Sequence, residues 1–394
     1  MEYNFDEIID RHDEKCRKWD RSIIEQEFGP IPDDFIPMWI ADMDFRSPQG
    51  ILDAFMKASQ RGTFGYTYTY PEFYQTVVQW QKQQHQVDMD PEWITLGYGS
   101  VATMYNLVQQ FCDATHGVMT LTPTYGPFGR CARENNVPVG TSPLILQANR
   151  YQIDWDDLEQ KLQAQQPRLL FFCNPHNPSG RVWSPQEIER IAQLCLANGT
   201  IMVSDEVHSE HILHNGQHTS ALTLPEQYLQ NLIFLTSPNK VFNLGGLKTS
   251  YSIIPNAQLR ERLRANYQKN SITSPNIFGI TAIVAGYQTG NDWRRAMVNY
   301  VSRNYELAQQ MLTDPRLQLI PMESSYLLWV RVSGFGVSGR TFTQELATQQ
   351  GVILEPGTDF VADGEKFVRI NLAMPRIQIQ TALQRLNQFI EKRF

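Results

Sequence analysis

Leu169-Leu-Phe-Phe-Cys-Asn-Pro-His-Asn-Pro-Ser-Gly-Arg181 runs into Val-Trp-Ser184-Pro-Gln-Glu187 and, one helical stretch later, into Ile201-Met-Val-Ser-Asp-Glu-Val-His208. Leu169–Cys173 is apolar throughout, so it reads as a strand buried on both faces. Two Asn-Pro pairs and a Gly then fix an irregular loop. Ser184-Pro-Gln-Glu187 has the form of a capping box with Pro at the first helical position, and the helix it opens stops near Gly199. Ile201–Ser204 repeats the apolar strand pattern. A strand, a crossover helix and a second buried strand predict an α/β domain built on a mostly parallel sheet covered on both faces.

The same alternation extends outward. Strands are expected at Glu92–Leu96, Gly117–Leu121 and Leu232–Thr236. Helices are expected from Pro71 to Gln84 and over Ser100–Phe111, the latter capped by Ser100. These elements place a large domain over residues 49–285. Residues 286–394 alternate differently: a long helix over Asp292–Leu312, a strand at Tyr326–Val332, a helix near Thr341–Gln350, a strand at Phe367–Leu372 and a last helix over Gln378–Lys392. They predict a smaller α+β domain. Residues 1–48 are rich in Pro and Asp and poorly periodic, and read as an extended arm ending at Pro37-Met-Trp-Ile-Ala-Asp-Met-Asp-Phe45. Its aromatics call for a surface to pack on, either the small domain or a second subunit.

At 394 residues the chain exceeds one ordinary core and suits two domains. A formal net charge of −7 argues against nucleic acid as a partner. No apolar run has the length of a membrane span, and Met1–Asp13 lacks the apolar stretch of a secretory signal. Five cysteines without CxxC spacing point to a reducing, cytoplasmic compartment. Cys173, inside an apolar strand, reads as a core thiol.

Four segments each follow a predicted strand, and ligands of parallel α/β sheets gather beyond the carboxyl ends of the strands. Leu96-Gly-Tyr-Gly-Ser-Val-Ala102 lies between a strand and a helix, where free N–H groups receive a phosphate. A dinucleotide would need a carboxylate at the end of the next strand, but that end reads Leu121-Thr-Pro-Thr-Tyr125, so a single phosphate monoester fits better. Asn174–Arg181 is the second segment. Ser204-Asp-Glu-Val-His-Ser-Glu210 is the third, with a carboxylate at the strand end. His208, His211, His214 and His218 lie close together, but on a loop and without companion cysteines, so no metal site is expected. His214 and His218 read as surface loop residues. The fourth, Thr236-Ser-Pro-Asn-Lys-Val-Phe-Asn-Leu-Gly-Gly-Leu-Lys248, sets Lys240 among apolar residues. Lysines ordinarily lie on solvated faces, and burial would lower the proton affinity of this amine and make it nucleophilic.

Together these segments resemble the pyridoxal 5′-phosphate (PLP) enzymes of fold type I, the aminotransferase class I/II superfamily, and most closely the cystathionine β-lyase (MalY/PatB-type C–S lyase) family. Lys18-Trp-Asp20, Pro37–Phe45, Phe64-Gly-Tyr-Thr67, Asn276-Ile-Phe-Gly279 and Phe367-Val-Arg-Ile-Asn-Leu-Ala-Met-Pro-Arg376 carry the narrower likeness. The resemblance implies a large domain with a sheet of the seven-stranded type, a homodimer, and PLP carried as a Schiff base on Lys240. It implies that Asp205 pairs with the pyridine nitrogen, that Tyr125 stacks on the ring, and that Asn177 and His208 serve the phenolic oxygen. It assigns the phosphate to Tyr98, Gly99, Ser237 and Lys248, with Tyr66 reaching in from the neighbouring subunit. It assigns the α-carboxylate of an amino-acid substrate to Arg369, with Ala41 and Asn177 beside it. The chain departs from the pattern in two places. Gly97-Tyr-Gly-Ser100 stands where these lyases usually have Gly-Val-Val-Pro, and Lys248 stands where many aminotransferases have Arg.

The resemblance implies a C–S β-lyase that cleaves L-cystathionine or a related cysteine thioether to pyruvate, ammonia and a thiol. An aminotransferase would use the same residues up to loss of the Cα proton. A regulatory binding protein on this fold is a third reading, and Lys240, Asp205 and Arg369 speak against it as the only role.

Overall fold

The computed structural model describes residues 3–214 and 216–394. A seven-stranded sheet runs in the order Ile94–Gly97, Ser250–Ile253, Leu232–Thr236, Ile201–Asp205, Leu169–Cys173, Val118–Thr122, Val139–Pro143. Six strands point the same way, and Ser250–Ile253 runs against both of its neighbours. Leu169–Cys173 and Leu232–Thr236 are buried along their whole length, as apolar strands covered by helices on both faces must be. The carboxyl ends of five parallel strands, Gly97, Thr122, Cys173, Asp205 and Thr236, share one edge. Because Ser250–Ile253 is antiparallel, its amino end joins that edge, with Ser250 opposite Gly97 and Tyr251 opposite Thr236. The reversal therefore delivers Lys248 and Thr249 to the same edge as the strand-end loops.

Several elements differ from expectation. Residues Pro91–Trp93 form a single 3-10 turn, so the first strand starts at Ile94. The helix Ser100–Phe111 begins at Ser100, but its cap is Gly99 at φ 89°, with no side-chain cap. A residue in the left-handed region suits glycine. Val139–Pro143 and Ser250–Ile253 complete the sheet beyond the strands read from sequence. The Ser184 capping box is present in full.

The arm is not extended. Arg21–Phe28 is a helix, because Asp20 accepts from the backbone N–H groups of Ser22 and Ile23. Ile36–Met38 is a strand, paired in parallel with Val352–Pro356. It completes a second sheet in the order Ile36–Met38, Val352–Pro356, Phe367–Asn371, Leu327–Arg331, Gln318–Leu319. The first two residues of the arm lie outside the described residues. Among the described residues no helix is long and apolar enough to cross a membrane.

One buried ion cluster locks the arm. The Asp44 carboxylate accepts from Lys18 Nζ at 2.8 Å, Trp19 Nε1 at 2.9 Å and Arg11 Nη1 at 2.7 Å. Lys18 is 1 % exposed, so its ammonium depends on this partner. Removing one member of a buried pair typically costs about 3–5 kcal/mol. Asp44→Ala should therefore lower the unfolding temperature clearly, whereas Asp33→Ala, at the fully exposed end of a pair with Arg21, should leave it unchanged. Thermal denaturation of the two variants checks this, and equal small effects would show that the cluster does not hold the arm.

Candidate active site

Lys240 lies in the one-turn helix Pro238–Val241, opened by Ser237, whose Oγ accepts from the Asn239 backbone N–H. Its Nζ donates to the Ala41 carbonyl at 2.7 Å. Burial and then the charge on Arg369 push its proton affinity down to about 8. Asp205 ends its strand 2 % exposed, and its carboxylate has one long contact, from the Val207 N–H at 3.4 Å. Burial, with some help from Glu206, pushes it up to about 7. Asp205 is thus a buried carboxylate without a close cation, a setting that the N–H of a protonated ring nitrogen would satisfy.

Tyr125 is placed by the turn before the helix Gly126–Glu134 and packs on Phe128. Burial and then the nearby Asp205 push its phenol up to about 12, so it stays neutral. Arg369, on the strand Phe367–Asn371, is 4 % exposed. Its Nη1 donates to Asn177 Oδ1 at 3.2 Å and its Nη2 to the Trp39 carbonyl at 3.1 Å, while its Nε is buried without a partner. An open guanidinium edge in a buried setting suits a carboxylate. Because Asn177 spends its oxygen on Arg369, its amide nitrogen is left to donate.

The residues expected at the phosphate also come together. A Cβ on Gly99 would stand 3.8 Å from the Lys248 backbone, so the helix N-terminus at Ser100 and the Lys248 turn face each other closely. Lys248 is itself left-handed at φ 52°. Ser237 Oγ donates to the Thr249 carbonyl at 2.6 Å, tying the lysine turn to this cradle. Tyr98 stands at its rim, 36 % exposed. The free N–H groups at the start of the Ser100 helix and Lys248 fit one phosphate monoester, while the Ser237 hydroxyl proton is engaged by Thr249. Lys240, Asp205, Tyr125, Asn177, Arg369 and Ala41 meet at the sheet edge with this cradle. Tyr66 does not join them within one chain, being 99 % exposed on its own segment.

His208 is buried. Its ring lies 5.8 Å from His211 and 6.2 Å from Tyr326, and burial, then His211, holds it well below the usual imidazole range. Burial also holds His211 down to about 4. Both rings are therefore neutral near pH 7. The described residues contain no group of His, Cys, Asp and Glu placed to hold a metal. The expectation that His218 is a surface residue is wrong: its side chain is 3 % exposed and meets Glu206 at 2.7 Å. A turn rich in Gly and His reads as solvated, and only the fold shows that it closes over a buried carboxylate. Sequence reading also misses Tyr326, whose hydroxyl donates to the Ala41 carbonyl at 3.3 Å, and Glu355, 3.3 Å from Arg369. A carboxylate inside the strand Val352-Ile-Leu-Glu-Pro356 was the available signal for the second.

A doubly wound sheet with a lysine, a carboxylate and a phosphate cradle at one edge defines the fold-type I class of PLP enzymes. The chain belongs to the aminotransferase class I and II family, whose model matches residues 34–386. It is 34% identical to cystathionine beta-lyase PatB of Bacillus subtilis (strain 168) over 97% of this chain and 98% of that protein. Cystalysin from Treponema denticola, solved with pyridoxal 5′-phosphate, superposes with a TM-score of 0.95 and 28% identity over 100% of both chains. The PLP-bound C-S lyase from Staphylococcus hominis superposes with a TM-score of 0.89 and 30% identity over 98% of each chain.

Cofactor-free protein provides a direct check on the lysine. Amine-reactive labelling of Lys240 should rise with a midpoint near pH 8, against about 10.4 for ordinary lysines. Mass mapping across a pH series measures it, and a midpoint near 10 would remove Lys240 from the reactive class.

Proposed function

We propose that this chain is a PLP-dependent C–S β-lyase acting on L-cystathionine or a related cysteine thioether. Its likeness to PatB along nearly the whole chain carries the choice of reaction; the geometry at Lys240, Asp205 and Arg369 carries the chemistry. Bound PLP supplies an electron sink for the pair left behind when the Cα proton departs. Lys240 holds the cofactor through Nζ and, once released, takes the Cα proton at that nitrogen. Ala41 O orients the free amine. Asp205, as a carboxylate, holds the ring nitrogen protonated. Arg369 grips the substrate carboxylate, with Asn177 fixing its guanidinium plane. Tyr125 covers the ring, and Ser237, Lys248 and the amides at Tyr98 and Gly99 hold the phosphate.

The overall reaction consumes water. Cystathionine and water give homocysteine, pyruvate and ammonia, the thiolate leaving Cβ with the electron pair. No net oxidation occurs, so no second substrate is required. With L-cystathionine the holoenzyme should release thiol, pyruvate and ammonia in equal amounts without added 2-oxoacid. Turnover that depends on an oxoacid and releases no thiol would replace this reading with an aminotransferase.

The same reading divides the chain into an arm over residues 1–48, a large domain over 49–285 and a small domain over 286–394, and places it in the cytoplasm. It makes the working unit a homodimer. Phe64, Tyr66 and Tyr68 are 59%, 99% and 71% exposed on one short segment, an aromatic run that supports a protein contact. In the dimer Tyr66 completes the partner's phosphate cradle. Sedimentation should give twice the chain mass, and a fully active monomer would exclude the shared site.

A further inference from the structure

Glu355 and Arg369 are paired across neighbouring antiparallel strands, so their side chains share one face of the second sheet. Glu355 Oε2 lies 3.3 Å from Arg369 Nη2, yet among the described residues it accepts no hydrogen bond. The pair is close without being aligned. Elsewhere in the chain a guanidinium that meets a carboxylate squarely does so through Nε and Nη2: Arg316 donates from these two nitrogens to Asp314 at 2.9 and 2.7 Å. In Arg369 the same edge is half open. Its Nε is buried without a partner, while Nη2 donates to the Trp39 carbonyl at 3.1 Å and has Glu355 beside it. Phe360 covers the guanidinium, with the ring centre 5.2 Å from Cζ, and closes one face of it to an anion.

A carboxylate that docks on this edge therefore meets a second carboxylate already there. One guanidinium carries one positive charge, and of two carboxylates that share a site one is pushed to take a proton. An α-carboxylate is the more acidic of the two in water, so Glu355 is the one that yields. Burial already disposes it to yield, pushing it up to about 7 although Arg369 opposes the rise. The other charges around it come from three elements. Asp359, in the turn after the strand, and Glu27, in the helix Arg21–Phe28, favour its neutral form, and Arg17, in the arm, favours its charge. Arg340 pairs with both Glu27 and Asp359 and tempers them. On the site side Lys240, and Tyr125 as a neutral phenol, stand within reach of its charge. The side chain is 19 % exposed, which leaves solvent a way to supply the proton.

We propose that Glu355 is a further residue of the substrate-carboxylate site: as the α-carboxylate settles on the Nε–Nη2 edge of Arg369, Glu355 takes a proton from solvent and donates the resulting O–H to that carboxylate. Binding then consumes one proton, and the charge at the edge is the same before and after: one guanidinium and one carboxylate. The inference rests on the reading of Arg369 as the holder of the substrate carboxylate, and R369A tests that reading separately.

The probe is 3-(methylthio)propanoate, a thioether acid without the α-amine. It binds holoenzyme without reacting, and its own carboxylate stays ionised above about pH 6. Titration calorimetry at about pH 8, in two buffers of different ionisation heat, counts the protons taken up on binding. Wild-type enzyme should take up roughly one proton more than E355Q. Protonation accompanies binding, so the ligand is favoured below the Glu355 midpoint and loses affinity above it. Wild-type affinity should therefore fall by up to about tenfold per pH unit as the pH rises past about 7, and E355Q should lose that dependence. A merely structural role would change affinity without removing a proton from the count. E355L replaces E355Q should the latter not load the cofactor. Equal proton uptake in wild type and variant, with R369A weakening binding, overturns the role of Glu355. Unchanged binding in R369A overturns the reading of Arg369 and this inference with it.

Discussion

A carboxylate fixed at the end of a fully buried strand needs a cation, and Asp205 has none in direct contact. The neighbouring strands on both sides are apolar, so water cannot solvate it, and its own backbone offers one long N–H contact. Such a group either takes up a proton or receives a charged partner from outside the chain. Under the proposed function, a heterocycle whose nitrogen can carry a proton would satisfy this constraint. The cradle at Gly99 and Lys248 would then hold the phosphate at the other end of that molecule. Lys240 stands between the two, its amine weakened as a base for protons and so strengthened as a nucleophile.

The sheet makes this meeting possible. Parallel strands end on one edge, so loops far apart in sequence converge there. The antiparallel Ser250–Ile253 adds a detail that parallel strands alone would not give. Its reversal brings Lys248 back to the edge only eight residues after Lys240, and the pairing of Ser250 with Gly97 sets it beside the helix N-terminus. The lysine in place of an arginine and the Gly-Tyr-Gly-Ser loop thereby remain compatible with one phosphate: a left-handed Lys248 and a left-handed Gly99 bring two backbones close enough to enclose it.

The fold was legible wherever one segment's own chemistry decided it. Leu169–Cys173 is apolar because both faces are covered, and Ser184-Pro-Gln-Glu187 caps its helix by contacts within four residues. The convergence of Lys240, Asp205 and Arg369 came from strand ends and family likeness, and the fold brings those residues together. Illegible features depended on distant partners. Ile36–Met38 is a strand because Val352 lies beside Ile36, and nothing local to the arm announces it. His218 is buried because a loop folds over Glu206, and its own neighbours in sequence, Gly216, Gln217 and Thr219, are those of a solvated turn.

The arm also governs the chemistry more than its sequence suggests. Its backbone between Trp39 and Asp42 forms one wall of the site. Arg369 donates to the Trp39 carbonyl, Asn371 to the Ile40 and Asp42 carbonyls, and Lys240 and Tyr326 to the Ala41 carbonyl. Lys18 holds the Asp42 carbonyl and the Asp44 carboxylate at once. A carbonyl wall is a fixed array of acceptors, and acceptors orient donors: the Arg369 guanidinium and the Lys240 amine are both aimed by it. Since Arg369 belongs to the second sheet and Lys240 to the turn that follows a strand of the first, this arm is where the two side chains are brought into register. A shift of the wall would move the Lys240 amine relative to the Arg369 guanidinium without altering either residue. Under the proposed function, the ion cluster at Asp44 would act on catalysis through geometry as well as on stability.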